Sequence, residues 1–242
     1  MIATAPQAIA TQSRLLSAVL VSPAELLSCA REIKVTAGQT LYDGHTPISH
    51  CFFPETSLMS LMSYTEGGES VAVGMVGNEG MLGIAALFDE QLLPYRTTAQ
   101  TSGTAIRMPA AKLREWLRKD LAFRDGVVHF LHAVFTQVVQ TAACNRFHVT
   151  EQRLARWLLL AQDRLSGDKM PFTHEGLAGV LGTDRVSITR SARRLKSEGI
   201  LNYTRGKTAI LDRQGLLSVS CECYIIIKKE YDALAQICSL KK

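Results

Sequence analysis

The sequence predicts an α+β chain: an N-terminal antiparallel β-roll of the cupin or jelly-roll kind, a long dimerisation helix, and a C-terminal winged helix-turn-helix. Three observations predict it. Short β-rich runs separated by turn residues fill 31–108. Sustained helical periodicity follows at about 120–147. Two helix patterns then meet at Gly182, with a short hairpin behind them. The expected divisions are 1–118 for the roll, 119–148 for the helix and 149–242 for the winged domain.

Each element has a local reason. Leu15, Leu16, Val19 and Leu20 recur at helical spacing within 12–30, and Pro23, Glu25, Leu26 and Leu27 continue behind a Ser22 cap. Ile33-Lys34-Val35, Leu58 to Met62 and Ser70 to Val73 are strand-like, with turns at Gly38, Gly44, Gly67-Gly68 and Gly77 to Gly80 between them. Residues 110–118 form a short helix. On the long helix Val127, Leu131, Val134, Val138, Thr141 and Asn145 follow heptad spacing, and Phe123, Phe130, Phe135, Val139 and Ala142 give a second apolar flank. A helix apolar on two sides must be covered on two sides. The roll can take one; a second copy of the chain takes the other, through Val127, Leu131, Val134, Val138 and Ala142. Burial within one subunit is the alternative. Thr150 caps an amphipathic helix carrying Arg153, Leu154, Trp157, Leu158, Ala161 and Leu165, and 167–171 is a turn.

Composition and charge narrow the function. The 242 residues are 47% hydrophobic and 20% charged, enough for a sizeable core. No apolar run approaches the ~20 residues of a membrane span, so no membrane partner is expected. The opening MIATAPQAIATQSRLL lacks a secretory pattern, and six scattered cysteines do not make a disulfide scaffold. Reduced thiols and a cytoplasmic location are expected. Residues 1–149 carry 11 basic against 12 acidic side chains, whereas 150–242 carry 16 against 10. Arg185, Arg190, Arg193, Arg194, Lys196, Arg205 and Lys207 crowd one short stretch. Charge alone fits a solvated helix face; its place on one helix of a helix-turn-helix and on the hairpin behind it points to a polyanion.

That stretch has its own punctuation. Thr173 caps a first helix with Leu177, Ala178 and Leu181 inward, ending at Gly182, where a glycine takes positive φ. Asp184 caps a second helix from Arg185 to about Ser197, with Val186, Ile188, Ala192 and Leu195 apolar. Residues 200–203 and 208–211 flank Arg205-Gly206-Lys207, a hairpin with a basic tip. Helix, glycine turn, basic helix and basic wing together point to double-stranded DNA.

These residues resemble the Crp/Fnr superfamily of bacterial transcription regulators. The resemblance runs over about 25–217. It rests on Leu181-Gly182-Thr183 through Arg190, Leu195 with Glu198-Gly199-Ile200, Gly206-Lys207, Gln152-Arg153-Leu154-Ala155, and the roll glycines Gly38 and Gly77 to Gly83. It implies a cyclic-nucleotide-binding-like roll, a homodimer, palindromic operators, RNA polymerase as a further partner and a small-molecule effector whose identity it leaves open. It places Arg185, Val186, Thr189 and Arg190 at base edges and Thr173, Ser187, Arg205 and Lys207 on phosphates, with Arg194 also on the DNA side.

The departures are informative. Cyclic-AMP-binding members follow the glycine with Glu; here Gly83 precedes Ile84. Arg96-Thr97 could supply the phosphate arginine, so Gly83, Arg96 and Thr97 are the weak ligand candidates. The adenine-binding Thr-Ser pair falls on Val138-Val139. Each unpaired ligand group would cost ~1–3 kcal/mol, which argues against ordinary cyclic-AMP binding. Val186 removes an acceptor for a cytosine amino group and offers a thymine methyl contact instead.

Cys221-Glu222-Cys223 has no third or fourth ligand nearby at metal spacing, so structural thiols are expected and no metal site. Cys29, Cys51, Cys144 and Cys238 are scattered. His129 and His132 on the long helix read as satisfied or exposed rather than as haem ligands, and no cofactor is identified. No catalytic residue set rises above chance, and an enzyme is not expected. The readings kept beside the effector-controlled regulator are a constitutive DNA-binding regulator with a ligand-free roll, and a thiol redox or metal-binding protein using Cys221 and Cys223.

Overall fold

The computed structural model describes residues 11–19, 28–88, 93–165, 167, 169–204 and 206–239. The turn expected at Ser22 to Leu27 and the wing residue Arg205 lie outside the described residues. A short helix α1 (Arg14–Val19) precedes seven strands: β1 (Arg31–Val35), β2 (Thr40–Tyr42), β3 (His50–Pro54), β4 (Met59–Tyr64), β5 (Ser70–Val76), β6 (Arg96–Ala99) and β7 (Gly103–Pro109). They form two antiparallel sheets, ordered β1-β7-β3 and β2-β6-β4-β5. Cys51, Phe53, Met59, Met75, Ile106 and Met108 pack between them, all nearly solvent-free. This is the expected roll.

Two helices close it: α2 (Ala110–Lys119) and the long α3 (Leu121–Phe147). Asp120 caps α3 by accepting from the Phe123 amide at 2.9 Å. The winged domain follows: α4 (Thr150–Gln162), β8 (Lys169–Met170), α5 (His174–Leu181), α6 (Arg185–Ser197), β9 (Leu201–Thr204), β10 (Lys207–Ile210) and α7 (Arg213–Val219). A last helix, α8 (Cys223–Ser239), turns back and packs along α3.

Four expectations need correction. The N-cap of α4 is Val149, whose amide donates to the Gln152 side chain at 3.3 Å; Thr150 is already helical. Nor is α4 amphipathic: every residue from Arg153 to Ala161 is buried, because α5, α6, α7 and α8 pack around it. The 167–171 turn contains β8, which adds to the wing sheet beside β10. Finally, α3 is long and apolar enough to cross a membrane by length and composition, contrary to the sequence reading. It packs on β5, α1, α2 and α8 along one side, with 33% of its apolar window buried.

The seam on α3 also moves. Val127 is fully buried inside the protomer, Thr141 nearly so, and Leu131 and Val134 lean on the core. The outward stripe is Val128, Phe135, Val139 and Ala142, with Phe135 67% exposed. Two apolar flanks run one residue apart along this helix, and the roll and α8 cover the one assigned to a partner. Val127 is therefore unavailable to a second chain, while Ala142 stays on the open face.

The two halves share a polar seam. The Gln137 side chain of α3 accepts from the Met75 amide of β5 at 3.3 Å, and donates to the Met75 carbonyl at 3.1 Å and the Tyr231 hydroxyl of α8 at 3.0 Å. Arg164, just past α4, donates to Glu79 of the roll at 2.6 Å, both side chains almost fully buried. The Arg164 guanidinium also lies over the Tyr231 ring, 4.5 Å from its centre. Burial, the largest single influence, would lower the Arg164 pKa; Glu79, Tyr231 and Asp163 together outweigh it and raise it.

Candidate nucleic-acid interface

The site is assembled by local capping. The Thr173 hydroxyl oxygen accepts from the Gly176 amide at 3.0 Å and starts α5. Gly182 ends that helix at φ 56°, a left-handed conformation that favours glycine. A side chain there would also press on Val71 of β5, so the same glycine lets α5 dock on the roll. Asp184 then caps α6, accepting from the Ser187 amide at 2.8 Å and from its hydroxyl at 2.7 Å. These bonds hold the Asp184 carboxyl below the usual range.

One face of α6 is anchored. Ile188, Ala192 and Leu195 are buried against the domain core, with α4 and β9 packed on the helix. The opposite face is open: Arg185, Val186, Arg190 and Arg193 are exposed, Val186 at 67%. Arg190 and Arg193 have no carboxylate partner among the described residues, and Arg185 only approaches Glu175 at 3.9 Å. Arg193 belongs with this face; its spacing of three from Arg190 was the available signal. Arg194 is tied back, to Glu198 at 3.1 Å and to Glu151 of α4 at 3.4 Å.

Two hydroxyls assigned to DNA are already used. Ser187 gives its proton to Asp184. Thr189 donates to the Arg185 carbonyl at 2.9 Å and sits 3.1 Å from His174 Nδ1. Only the Thr189 methyl is left for a base. Burial, with Arg185 and Arg193 nearby, holds the His174 imidazole below its ordinary pKa. Its ring meets Tyr203 of the wing edge-on, centroids 4.8 Å apart.

The wing is β9 paired with β10, Lys207 opposite Thr204, and Lys207 is exposed. Thr173, His174, Arg185, Tyr203 and Lys207 line a cleft of about 300 Å³ between wing and recognition helix. The Thr173 hydroxyl keeps its proton for a ligand. A second cleft, about 650 Å³, separates the β4–β5 hairpin from α5 and α6, with Glu69 and Val71 on one wall and Gly182 and Arg185 on the other.

The three roll positions suggested for a ligand are differently placed. Gly83 has φ 80°, and the Tyr42 hydroxyl fills the space where its side chain would be while donating to the His50 carbonyl at 2.6 Å. Arg96 points outward, its guanidinium 4.5 Å from the Tyr64 ring centre. Thr97 is buried, with its hydroxyl unpartnered among the described residues. The fold does not bring these three to one cavity wall.

One of the cysteines expected to be scattered, Cys144, joins the Cys221–Cys223 pair. Cys144 and His148 at the end of α3 meet Cys221 and Cys223 at the start of α8, and one ligand atom from each lies within 4.8 Å of the others. The Cys144 and Cys221 sulfurs share a hydrogen bond at 3.5 Å, which draws the Cys221 pKa down.

Two family models match: a cyclic nucleotide-binding domain over residues 32–120 and a Crp-like helix-turn-helix domain over 152–219. No curated protein matches the chain. Solved structures share the fold. FixK2 from Bradyrhizobium japonicum is 14% identical, with a TM-score of 0.66 over 79% of this chain and 98% of that one. A CRP/FNR-family transcriptional regulator from Thermus thermophilus is 21% identical, with a TM-score of 0.61 over 78% and 98%. A mutant of CooA from Carboxydothermus hydrogenoformans is 20% identical, with a TM-score of 0.63 over 88% and 100%.

Proposed function

The chain belongs to the Crp/Fnr family of transcription regulators, and from that premise we propose that it is a homodimer that reads a palindromic operator with α6. It is a regulator and not an enzyme. The observation that carries the reading is the open face of α6, where Arg190 and Arg193 stand exposed without a carboxylate partner among the described residues. Arg190 takes a guanine through its O6 and N7, and Arg185 serves as a second fork at the helix start. Val186 meets a thymine methyl. Thr173 and Lys207 hold phosphates on either side of the wing cleft and set register. Ser187, Thr189 and Arg194, already bonded within the domain, orient the helix. Arg205, two residues before Lys207 in the sequence, adds a phosphate contact.

The dimer forms through Val128, Phe135, Val139 and Ala142, a stripe with heptad spacing. The protein acts in the cytoplasm and works with RNA polymerase. The filled corner at Gly83 and the outward Arg96 favour a roll that does not take cyclic AMP through the family's contacts. Such a roll is a ligand-free scaffold or answers to another effector. In either case the cleft between the β4–β5 hairpin and α6 lies where the roll meets the helix-turn-helix.

The test is an affinity comparison of wild type and Arg190→Ala on the operator and on unrelated DNA at fixed salt. Loss of ~1–3 kcal/mol per half-site on the operator, with little change elsewhere, supports base reading. Equal loss on both places Arg190 on a phosphate and refutes its assigned role.

A further inference from the structure

We propose that Cys144, His148, Cys221 and Cys223 form a binding site for one tetrahedral transition-metal ion, zinc by the chemistry of the donors, which pins the C-terminal helix to the junction of α3 and α4. The inference is independent of DNA reading. All four donors lie outside both matched family segments, which end at 120 and begin again at 152 and end at 219.

Geometry is the first support. Cys144 and His148 are four apart at the C-terminal end of α3 and so share a face. Cys221 and Cys223 flank the start of α8 on a turn in which the Tyr224 amide donates to the Cys221 carbonyl at 3.1 Å. Cys144 Sγ and Cys221 Sγ are 3.5 Å apart, and Cys223 Sγ and His148 Nδ1 are 3.7 Å apart. Metal–sulfur bonds of ~2.3 Å at tetrahedral angles put sulfurs about 3.8 Å apart. Donor atoms all within 4.8 Å of one another therefore suit a single ion. An iron–sulfur cluster spreads its protein ligands over several irons and needs them further apart.

The surroundings give two further supports. The Nδ1 of His148 faces the sulfurs while Nε2 lies 3.3 Å from Glu222, the carboxylate partner that orients a metal-bound imidazole. Arg153 and Arg156 are buried beside the cluster and have no carboxylate partner among the described residues. Arg153 donates to the Leu181 carbonyl and Arg156 to the Thr141 hydroxyl, and the Nε of each is unpartnered among the described residues. Three thiolates on a divalent ion leave one net negative charge, which balances one of these two buried cations. Three protonated thiols would leave both buried cations without a counter-charge.

Binding releases the thiol protons and changes no oxidation state. His148 and Val149 are the whole connection between α3 and α4. A filled site thus fixes the joint that sets the winged domain on the dimer helix.

The experiment uses the full chain, stripped by a chelator under reducing conditions and titrated with zinc or cobalt. One ion per chain is expected, retained against a chromophoric chelator, and cobalt should show the intense ligand-field and sulfur-to-metal bands of a tetrahedral thiolate site. Cys221→Ser and His148→Ala, checked for folding by circular dichroism, should lose or weaken the site by at least tenfold; Cys29→Ser should keep it. A wild-type chain that takes up no cobalt, or shows only octahedral cobalt, overturns the proposal. So does an iron–sulfur chromophore with acid-labile sulfide, or a Cys144–Cys221 disulfide in place of metal.

Discussion

Arginine is handled in opposite ways at the seam between the two halves and on the recognition helix. Arg164 is buried, bonded to Glu79 at 2.6 Å and stacked on Tyr231. Arg190 and Arg193 stand in solvent without a carboxylate partner among the described residues. The difference separates architecture from function. A buried guanidinium must have its partner within the fold, because leaving it alone costs several kcal/mol. An exposed one costs little to leave unpaired, so a row of them on a rigid helix is available to an external polyanion.

The largest expected effect breaks the buried side. Glu79→Ala strands Arg164 and should lower stability by about 3–5 kcal/mol in urea denaturation. The open side should give no comparable loss: Arg190→Ala should leave the denaturation midpoint nearly unchanged. Next comes Phe135→Glu, which puts a charge in the exposed stripe of α3. Light scattering should then show monomers, and operator affinity should fall by ~10²-fold or more as the second half-site is lost. Leu131→Glu, on a half-buried position, should lower stability as well; an unchanged dimer mass for Phe135→Glu would move the interface. Lys207→Ala should weaken operator and random DNA alike and reduce the salt slope by about one per subunit. Smallest is the response to cyclic AMP: calorimetry should show no micromolar binding, since Ile84 follows the glycine and Arg96 faces outward.

What was legible in the sequence follows the range of the interactions. The helix-turn-helix could be read because Thr173, Gly182 and Asp184 act on amides one turn away. The roll could be read because strand runs and turn residues alternate along the chain. The stripe proposed for the dimer differs from the one expected from the sequence because periodicity does not say which apolar flank the roll and α8 will cover. Ser187, Thr189 and Arg194 looked free for DNA because their partners, Asp184, Arg185 and His174, and Glu151 and Glu198, become neighbours only once the helices form and pack. The cysteine cluster was illegible for the same reason. Cys144 and His148 end α3, before the winged domain, whereas Cys221 and Cys223 follow α7, and the two pairs meet only through the docking of α8 on α3.

The central claim is that α6 reads bases as one half of a dimer. Selection from a random duplex library at fixed salt, run in parallel with wild type, Arg190→Ala and Val186→Glu, tests it most directly. The account predicts that wild type enriches a two-fold palindrome with half-sites ~34 Å apart. Arg190→Ala should flatten preference at one base pair per half-site, and Val186→Glu should change which operator wins. Unchanged motifs from both variants, with affinity falling equally on every sequence, would contradict it.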